Sequence, residues 1–244
     1  MRSYKLILAL LVLLSALFLL WAVIGTGPAP VPSGDNLPFP KGERISYCVK
    51  WGGLKIGTAI SNFLGETNFR GKKAYLITFS TNTFGFKDIE RIYADPESLY
   101  PLYIERTVSL GKLGEKIIEE YDQKSHTLKI SKRSGKEKEE KLIKAGSNIQ
   151  NTVLLFYYCR NREFKVGDTF SAALPTSEYK LEVVRKEELE TALGKRPALL
   201  FASRPEGIKF WVEANGERLL LKMKKSAKVG SWEMSITKVE RGDE

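Results

Sequence analysis

Apolar and polar residues alternate with a period of two over most of the chain. The first such run has its apolar residues at Ile45, Tyr47, Val49 and Trp51, a pattern typical of a strand with one buried face. Gly52-Gly53 then predicts a tight hairpin turn into a second strand. Similar runs recur as far as Val239 and predict about ten to thirteen short antiparallel strands. The predicted fold class is mainly β, a curled antiparallel sheet or half-barrel.

One segment follows a helical period instead. Its residues at helical spacing are Ile149, Val153, Phe156, Tyr157 and Arg160. Ser147 or Asn148 is placed to cap the first turn. We expect a single helix here, which covers the sheet.

The N-terminus has the pattern of an export signal. Arg2 and Lys5 precede an unbroken apolar run from Leu6 to Gly25. Secretory apolar cores have about 7–15 residues and a spanning helix needs about 20, which this run provides. We interpret it as a single-pass transmembrane anchor in the bacterial inner membrane, with the main domain in the periplasm. The alternative is a cleaved signal peptide and secretion to the periplasm.

The composition changes sharply after this run. Residues 26–41 include five prolines and predict a semi-extended linker. The sequence therefore divides into a signal anchor or signal peptide (1–25), a Pro-rich linker (26–41), a single β-rich exported domain (42–240) and a short tail (241–244).

The charge of the chain is basic. Lys and Arg number 39 against 29 Asp and Glu, which gives a formal net charge of +10. Arg2 and Lys5 belong to the N-terminal segment, which leaves +8 beyond it. Because the sequence has no nucleic-acid-binding motif, we expect no nucleic-acid partner. The expected partners are the membrane, through the N-terminal helix, and a lipid or an envelope protein.

Few residues offer catalytic chemistry. The single histidine, His126, has no Ser, Cys or Asp partner at a recognisable spacing. Glu119-Glu120 and Glu187-Glu188 are adjacent carboxylates, but neighbouring residues of a strand point to opposite faces. We therefore expect a non-enzymatic protein with no catalytic residue, metal or cofactor. A hydrolase is kept as a further hypothesis, ranked after a ligand-binding protein and a ligand-free structural module, and it requires carboxylates from different strands that meet in a cleft.

The two cysteines leave two alternatives open. Cys48 lies on the polar face of the first strand and Cys159 lies late in the predicted helix. Export makes a Cys48–Cys159 disulfide possible if the helix packs on that strand. Otherwise the protein has two separate thiols.

Aromatic residues at strand positions suggest a binding site. Most of them are expected to fill the core, but a curled sheet can also leave an apolar concavity. The candidate ligand-binding residues are Tyr47, Trp51, Phe79, Tyr93, Tyr103 and Trp211.

Four segments occur in a characteristic order along the domain: Gly42–Tyr47, Trp51–Ala59, Tyr93–Pro101, and Leu154–Arg160 followed by Val166–Asp168. As an ordered set they resemble the bacterial family known as domain of unknown function 3108. The resemblance implies an exported envelope protein with a half-barrel similar to the LolA and LolB lipoprotein carriers. It implies no active residues, and Cys159 stands where a leucine is usual.

These observations lead to one main hypothesis and one alternative. The main hypothesis is a membrane-tethered, non-enzymatic envelope protein whose half-barrel binds or shelters a hydrophobic ligand, a lipid or acyl chain. Burial of the ligand would contribute about 25 cal/mol per Å² of apolar surface. The alternative is a ligand-free structural or protein-interaction module of the envelope, with a filled core and an exposed apolar patch or open strand edge.

Overall fold

The computed structural model describes residues 38–111, 113–226 and 230–242. These residues form fourteen strands and one helix, α1 (Thr152–Arg160). The strands are β1 (Glu43–Trp51), β2 (Leu54–Phe69), β3 (Lys72–Thr83), β4 (Phe86–Ala94), β5 (Pro101–Leu110), β6 (Leu113–Asp122), β7 (Thr127–Ser134), β8 (Glu137–Lys144), β9 (Thr169–Leu174), β10 (Ser177–Thr191), β11 (Gly194–Arg204), β12 (Ile208–Glu213), β13 (Leu220–Ser226) and β14 (Ser231–Glu240).

All fourteen strands belong to one antiparallel sheet. Its order is β8-β7-β6-β5-β4-β3-β2-β1-β14-β13-β12-β11-β10-β9. Two meanders, β1 to β8 and β9 to β14, are therefore joined where the first strand pairs with the last. The sheet is curled and does not close, because β8 and β9 remain as its two edges. The mainly β prediction is confirmed.

The strand prediction missed β8. Its sequence, EKEEKLIK, is charged at nearly every position, and all but one of its residues are exposed. It carries too few apolar residues for a period of two to stand out, and it becomes a strand because β7 offers a free edge to pair with.

Helix α1 lies inside the curl. Eight consecutive residues from Val153 to Arg160 are buried, so it has no solvent-facing side. Asn151 caps it, and the Asn151 side-chain oxygen accepts hydrogen bonds from the backbone N–H groups of Val153 and Leu154. The prediction that Ser147 or Asn148 caps the helix is wrong. The chain reaches Asn151 through Ile149, which forms a bridge to Ala173 of β9 instead of a first helical turn.

The helix divides the interior into two apolar clusters. The larger cluster packs Leu155, Phe156, Tyr158 and Cys159 against β1, β2 and β9 to β14. Its centre includes Phe201 and Phe210, whose rings stack at 4.7 Å between centroids. The smaller cluster packs Val153, Leu154 and Tyr157 against strands from β2 to β7, where it includes Phe63, Ile77, Ile92, Ile104 and Leu128.

In the part of the chain that the structure describes, no helix is long and apolar enough to cross a membrane. The predicted anchor and most of the predicted linker lie outside the described residues.

Candidate functional site

The C-terminal end of α1 is held by a buried ion pair. Nη1 of Arg160 lies 2.7 Å from Oε1 of Glu43, and Nη2 lies 2.9 Å from Oε2. The side chains are 3% and 0% exposed. The guanidinium also lies over the ring of Phe39, 4.8 Å from its centroid. Two parallel hydrogen bonds to a carboxylate are the geometry that best offsets the cost of burying both charges.

A small cavity lies beside this ion pair, between α1 and the sheet. Tyr47, Ser61, Tyr157 and Arg160 supply its polar groups. The hydroxyls of Ser61 and Tyr157 are 2.9 Å apart, and Nε of Arg160 has no hydrogen-bond partner among the described residues. The cavity volume is about 20 Å³. That is room for a water molecule and far too little for an acyl chain.

Burial also sets the protonation state of these phenols. It raises the pKa of Tyr157 to about 12, against the opposing charge of Arg160. It raises the pKa of Tyr47 further, again with Arg160 opposing. Both hydroxyls are therefore neutral over the physiological pH range and can act only as hydrogen-bond donors or acceptors.

A second polar cluster lies on the same inner face, beyond the N-terminal end of α1. Asp88 and Glu90 come from β4, Arg106 from β5, and Glu119 from β6. Nε of Arg106 donates to Oδ1 and Oδ2 of Asp88 at 2.9 and 3.0 Å and lies 3.8 Å from Oε1 of Glu90. The hydroxyl of Tyr121 donates to Oε2 of Glu119 at 2.5 Å. The guanidinium of Arg106 thus contacts Asp88 and Glu90, and its charge also acts on Glu119.

The pKa values of Glu90 and Glu119 in this cluster are raised, because both are buried and one guanidinium does not balance three carboxylates. Burial raises the pKa of Glu90 to about 7; Arg106 opposes the shift, and Asp88 and Glu119 add to it. Burial likewise raises the pKa of Glu119, although the hydrogen bond from Tyr121 opposes it. Glu90 can therefore hold a proton near neutral pH, which is the state that a general acid requires.

Within the described residues, no group of His, Cys, Asp and Glu side chains is placed to hold a metal ion. In the carboxylate cluster the position that a cation would take is occupied by the guanidinium of Arg106, which lies against Asp88 and Glu90.

The six predicted ligand-binding aromatics lie in four places. Tyr47 and Phe79 both line the small cavity. Trp51 is half-buried at the end of β1, opposite Trp232 of β14.

The other three predicted aromatics lie away from the cavity. Tyr93 and Tyr103 alternate with the core residues Ile92 and Ile104, so they lie on the outer face, where both rings contact Phe69. Nε1 of Trp211 donates to Glu187 at 2.6 Å, also on the face opposite the core residue Phe210. The structure does not bring the six residues into one site.

Both cysteines are free thiols, which corrects the disulfide alternative. Cys48 alternates with the buried residues Tyr47 and Val49 and therefore lies on the outer face of β1, whereas Cys159 is buried inside the curl. The sheet itself separates the two sulfur atoms.

The sequence analysis missed both polar clusters. The sequence did contain a signal for the second cluster. Asp88 and Glu90 alternate along the strand with the same spacing as the apolar Ile92, so all three side chains lie on the inner face. No local pattern could have paired Glu43 with Arg160, since 117 positions separate them.

Comparisons with known proteins bear on the fold and the family. No curated protein matches the chain. The chain is similar to the crystal structure of a β-barrel-like protein of the domain of unknown function DUF1849 from Brucella abortus, with 9% identity and a TM-score of 0.51. The match covers 82% of this chain and 98% of the other, and at this identity it shows the fold alone.

A second structure, from Bacteroides fragilis, is described as that of an exported protein with a YmcC-like fold. It has a TM-score of 0.31 and 9% identity, over 84% of this chain and 98% of that one. The family model for proteins of unknown function DUF3108 matches residues 46–237, which is most of the domain. The chain therefore belongs to the DUF3108 family.

Proposed function

We propose that this protein is a non-enzymatic module of the bacterial cell envelope that acts through its surface and holds no lipid in its interior. The observation that carries this proposal is the position of α1. Eight consecutive buried residues of the helix fill the curl of the sheet. Beside them, the cavity lined by Tyr47, Phe79 and Phe156 has about 20 Å³.

This interior favours the ligand-free alternative over the shelter of an acyl chain. A sheltered chain needs a cavity of about 300 Å³ or more. Space on that scale would require α1 to leave the curl, which would expose both apolar clusters and break the Glu43–Arg160 ion pair. The rearrangement would cost more than one buried acyl chain contributes, because a buried ion pair and a whole helix face would be exposed together.

The envelope location rests on the N-terminal sequence. The apolar run from Leu6 to Gly25 and the Pro-rich segment after it support export and a tether to the inner membrane. A cleaved signal peptide would place the same domain free in the periplasm.

The test uses the full chain with a protease site inserted after Ser33. After purification in detergent, cleavage releases the domain, which is then weighed by native mass spectrometry. We expect the mass of the polypeptide alone. A protein with a known bound lipid, taken through the same detergent and cleavage steps, serves as the control that the method detects a bound lipid. A stoichiometric lipid on the unaltered domain would overturn the proposal.

A hydrolase is the second candidate, favoured by the cluster of Asp88, Glu90 and Glu119. These carboxylates come from two strands of the inner face, and Glu90 holds a proton near neutral pH. The test is hydrolysis of a panel of chromogenic glycosides by the full chain. Activity that Glu90→Gln and Glu119→Gln both abolish would support this candidate. If the unaltered chain shows no turnover of the panel, the hydrolase is discarded.

A further inference from the structure

Three neighbouring hairpins carry exposed apolar residues at the same end of the sheet. Leu54 follows the turn between β1 and β2, Phe84 lies in the turn between β3 and β4, and Leu113 begins β6 after the preceding turn. They are 74%, 90% and 66% exposed. In an antiparallel meander, these alternate turns lie at one end of the sheet.

Hydrogen bonds join these turns to one another and to their neighbours. The N–H of Gly111 donates to the carbonyl of Gly85 at 2.8 Å, which ties the second turn to the third. The N–H of Gly52 donates to the carbonyl of Ser231 at 3.0 Å, which ties the first turn to the start of β14. The exposed side chains are therefore presented on a connected edge and not on independent loops.

The opposite end of the sheet is different. There the apolar turn residues Leu99 and Leu219 are 0% and 4% exposed. Val166, in the turn before β9, is 55% exposed, so the contrast holds for the hairpin turns that carry Leu99 and Leu219.

A row of lysines crosses the outer face next to these apolar turns. Cross-strand pairing places Lys209, Lys224, Glu233, Lys50 and Lys55 side by side on β12, β13, β14, β1 and β2. Lys50 faces Lys55 directly, and neither forms an ion pair with a described residue. Glu233 forms an ion pair with Lys224 at 3.1 Å and lies opposite Lys50, so the fold compensates part of this charge. Lys55 and Lys209 form no ion pair with a described residue, and like charges opposite each other, such as Lys50 and Lys55, destabilise a sheet.

We propose that this end of the domain binds the surface of a bilayer that contains anionic lipids. The tip surface, as we call it, consists of Leu54, Phe84 and Leu113 together with Lys50, Lys55, Lys209 and Lys224. This proposal rests on the proposed function, because it names the surface through which the module acts. Apolar side chains enter the acyl boundary and the lysines contact the lipid phosphates, which supplies the two signals that lasting membrane contact requires.

The chemistry favours a bilayer over an acidic protein or polymer. Charge alone would suit any polyanion, but Phe84 stands almost fully exposed at the tip of its turn, and Leu54 and Leu113 are exposed at the same end, so an apolar phase would bury all three. A bilayer offers that phase and the anionic groups within a few ångströms of each other.

The segment between the apolar run and the domain has sufficient reach. Phe39 is buried in the domain, so the length available is that of residues 26–37, which could extend to at most about 40 Å, whereas β1 is about 30 Å long. Either end of the domain can therefore contact the membrane in which the chain is anchored.

The experiment uses the full chain, reconstituted in vesicles. An environment-sensitive fluorophore is attached at Thr83→Cys, next to Phe84, in a Cys48→Ser background in which the buried Cys159 does not react. In vesicles of phosphatidylcholine with phosphatidylglycerol, we expect a blue shift of the emission and protection from the neutral quencher acrylamide. In pure phosphatidylcholine, and at high salt, we expect the emission of an aqueous probe.

Matched variants separate the two components of the tip surface. Phe84→Ser and the double change Lys50→Gln with Lys55→Gln, which removes the positive charge without placing a carboxylate opposite Glu233, should each abolish the shift. Leu142→Ser removes an equally exposed leucine from β8 and should leave the shift unchanged. Since all of these side chains are on the surface, each variant should unfold at the same urea concentration as the parent.

Three results with the fluorescent probe would overturn the proposal. They are an aqueous probe in the anionic vesicles, an equal loss with Leu142→Ser, and a shift instead at Ser147→Cys, which reports on the opposite end of the domain. Cross-linking from position 83 to a protein, with no dependence on phosphatidylglycerol, would also overturn it. None of these outcomes changes the mass of the released domain, so failure of the tip surface is distinguishable from failure of the proposed function.

Discussion

The Glu43–Arg160 ion pair ties the helix to the first strand and is the most deeply buried charge pair described in this domain. Both groups have lost their hydration, so each depends on the other. If one partner is removed, a charge is left in the core with nothing to compensate it, which is far costlier than removal of the whole pair.

We therefore expect Arg160→Met to lower the free energy of unfolding by about 3–5 kcal/mol. The double variant with Glu43→Leu should recover most of that loss. Urea denaturation followed by circular dichroism measures both. Glu240→Gln, which breaks the exposed Arg44–Glu240 pair, is the control and should cost less than about 1 kcal/mol. A single variant no worse than this control would contradict the role of the pair.

Glu90 makes stability depend on pH. Its pKa rises from an ordinary 4.5 to about 7 in the folded state, so between these values the folded protein holds a proton that the unfolded chain releases. Stability is therefore greatest below about pH 4.5 for this group and falls as pH rises towards 7. The raised pKa of Glu119 acts in the same direction.

Glu90→Gln should remove this loss of stability between about pH 4.5 and 7, because glutamine does not titrate. At pH 8 we expect the variant to be more stable than the parent by up to about 3 kcal/mol, and at pH 4 we expect little difference. Chemical denaturation across this pH range is the measurement. Glu120→Gln is the control: Glu120 follows Glu119 in β6 but lies on the outer face, so this variant should show the same pH dependence of stability as the parent. Parallel profiles for parent and Glu90→Gln would refute the assigned protonation.

At the scale of elements, the helix owes its start to Asn151. It has no acidic residue in its first turn, and its apolar residues surround it on all sides, so the cap is its main local stabilisation at that end. Asn151 also donates weakly to Glu90, with 3.5 Å between Nδ2 and Oε2, which links the helix start to the carboxylate cluster.

Asn151→Ala should lower the free energy of unfolding by about 1 kcal/mol. Ser147→Ala and Asn148→Ala, at the positions that the sequence pattern predicted as caps, should change it by only a few tenths of a kcal/mol. The melting temperatures of the three variants show whether Asn151, or instead Ser147 or Asn148, caps the helix. A larger effect at Asn148 than at Asn151 would show that the helix begins earlier than described.

At the scale of the whole molecule, the curl gives the domain an inside and an outside, and the two cysteines report on them. Cys48 is half-exposed on the outer face. Burial raises the pKa of the Cys159 thiol well above its usual range, although Arg162 opposes the shift. A buried neutral thiol reacts slowly with thiol reagents.

We expect Ellman's reagent to modify one thiol per native chain and two per chain in denaturant. Cys48→Ser should abolish the reaction of the native protein, and Cys159→Ser should leave it unchanged. A native chain with no reactive thiol and a mass lower by two hydrogens would instead mean that the two cysteines form a disulfide.

Much of the fold could be predicted from alternation alone. Thirteen of the fourteen described strands, and the place of the helix, follow from apolar periods that local backbone geometry converts directly into β or α structure. The exception, β8, has no apolar face. The site was harder to predict, because aromatic residues such as Tyr93 and Tyr47 have similar local patterns but lie on opposite faces of the sheet.

The sequence by itself determined the mainly β class, the single helix, the basic charge and the resemblance to the DUF3108 family, because each is written in local composition or periodicity. Only the tertiary structure decided that the helix fills the curl. It likewise brought Arg160 to Glu43 and Arg106 to Asp88, and aligned lysines from four neighbouring and near-neighbouring strands in one row across the outer face. These contacts depend on strand register and curvature, which join residues far apart in the chain and leave no local signal.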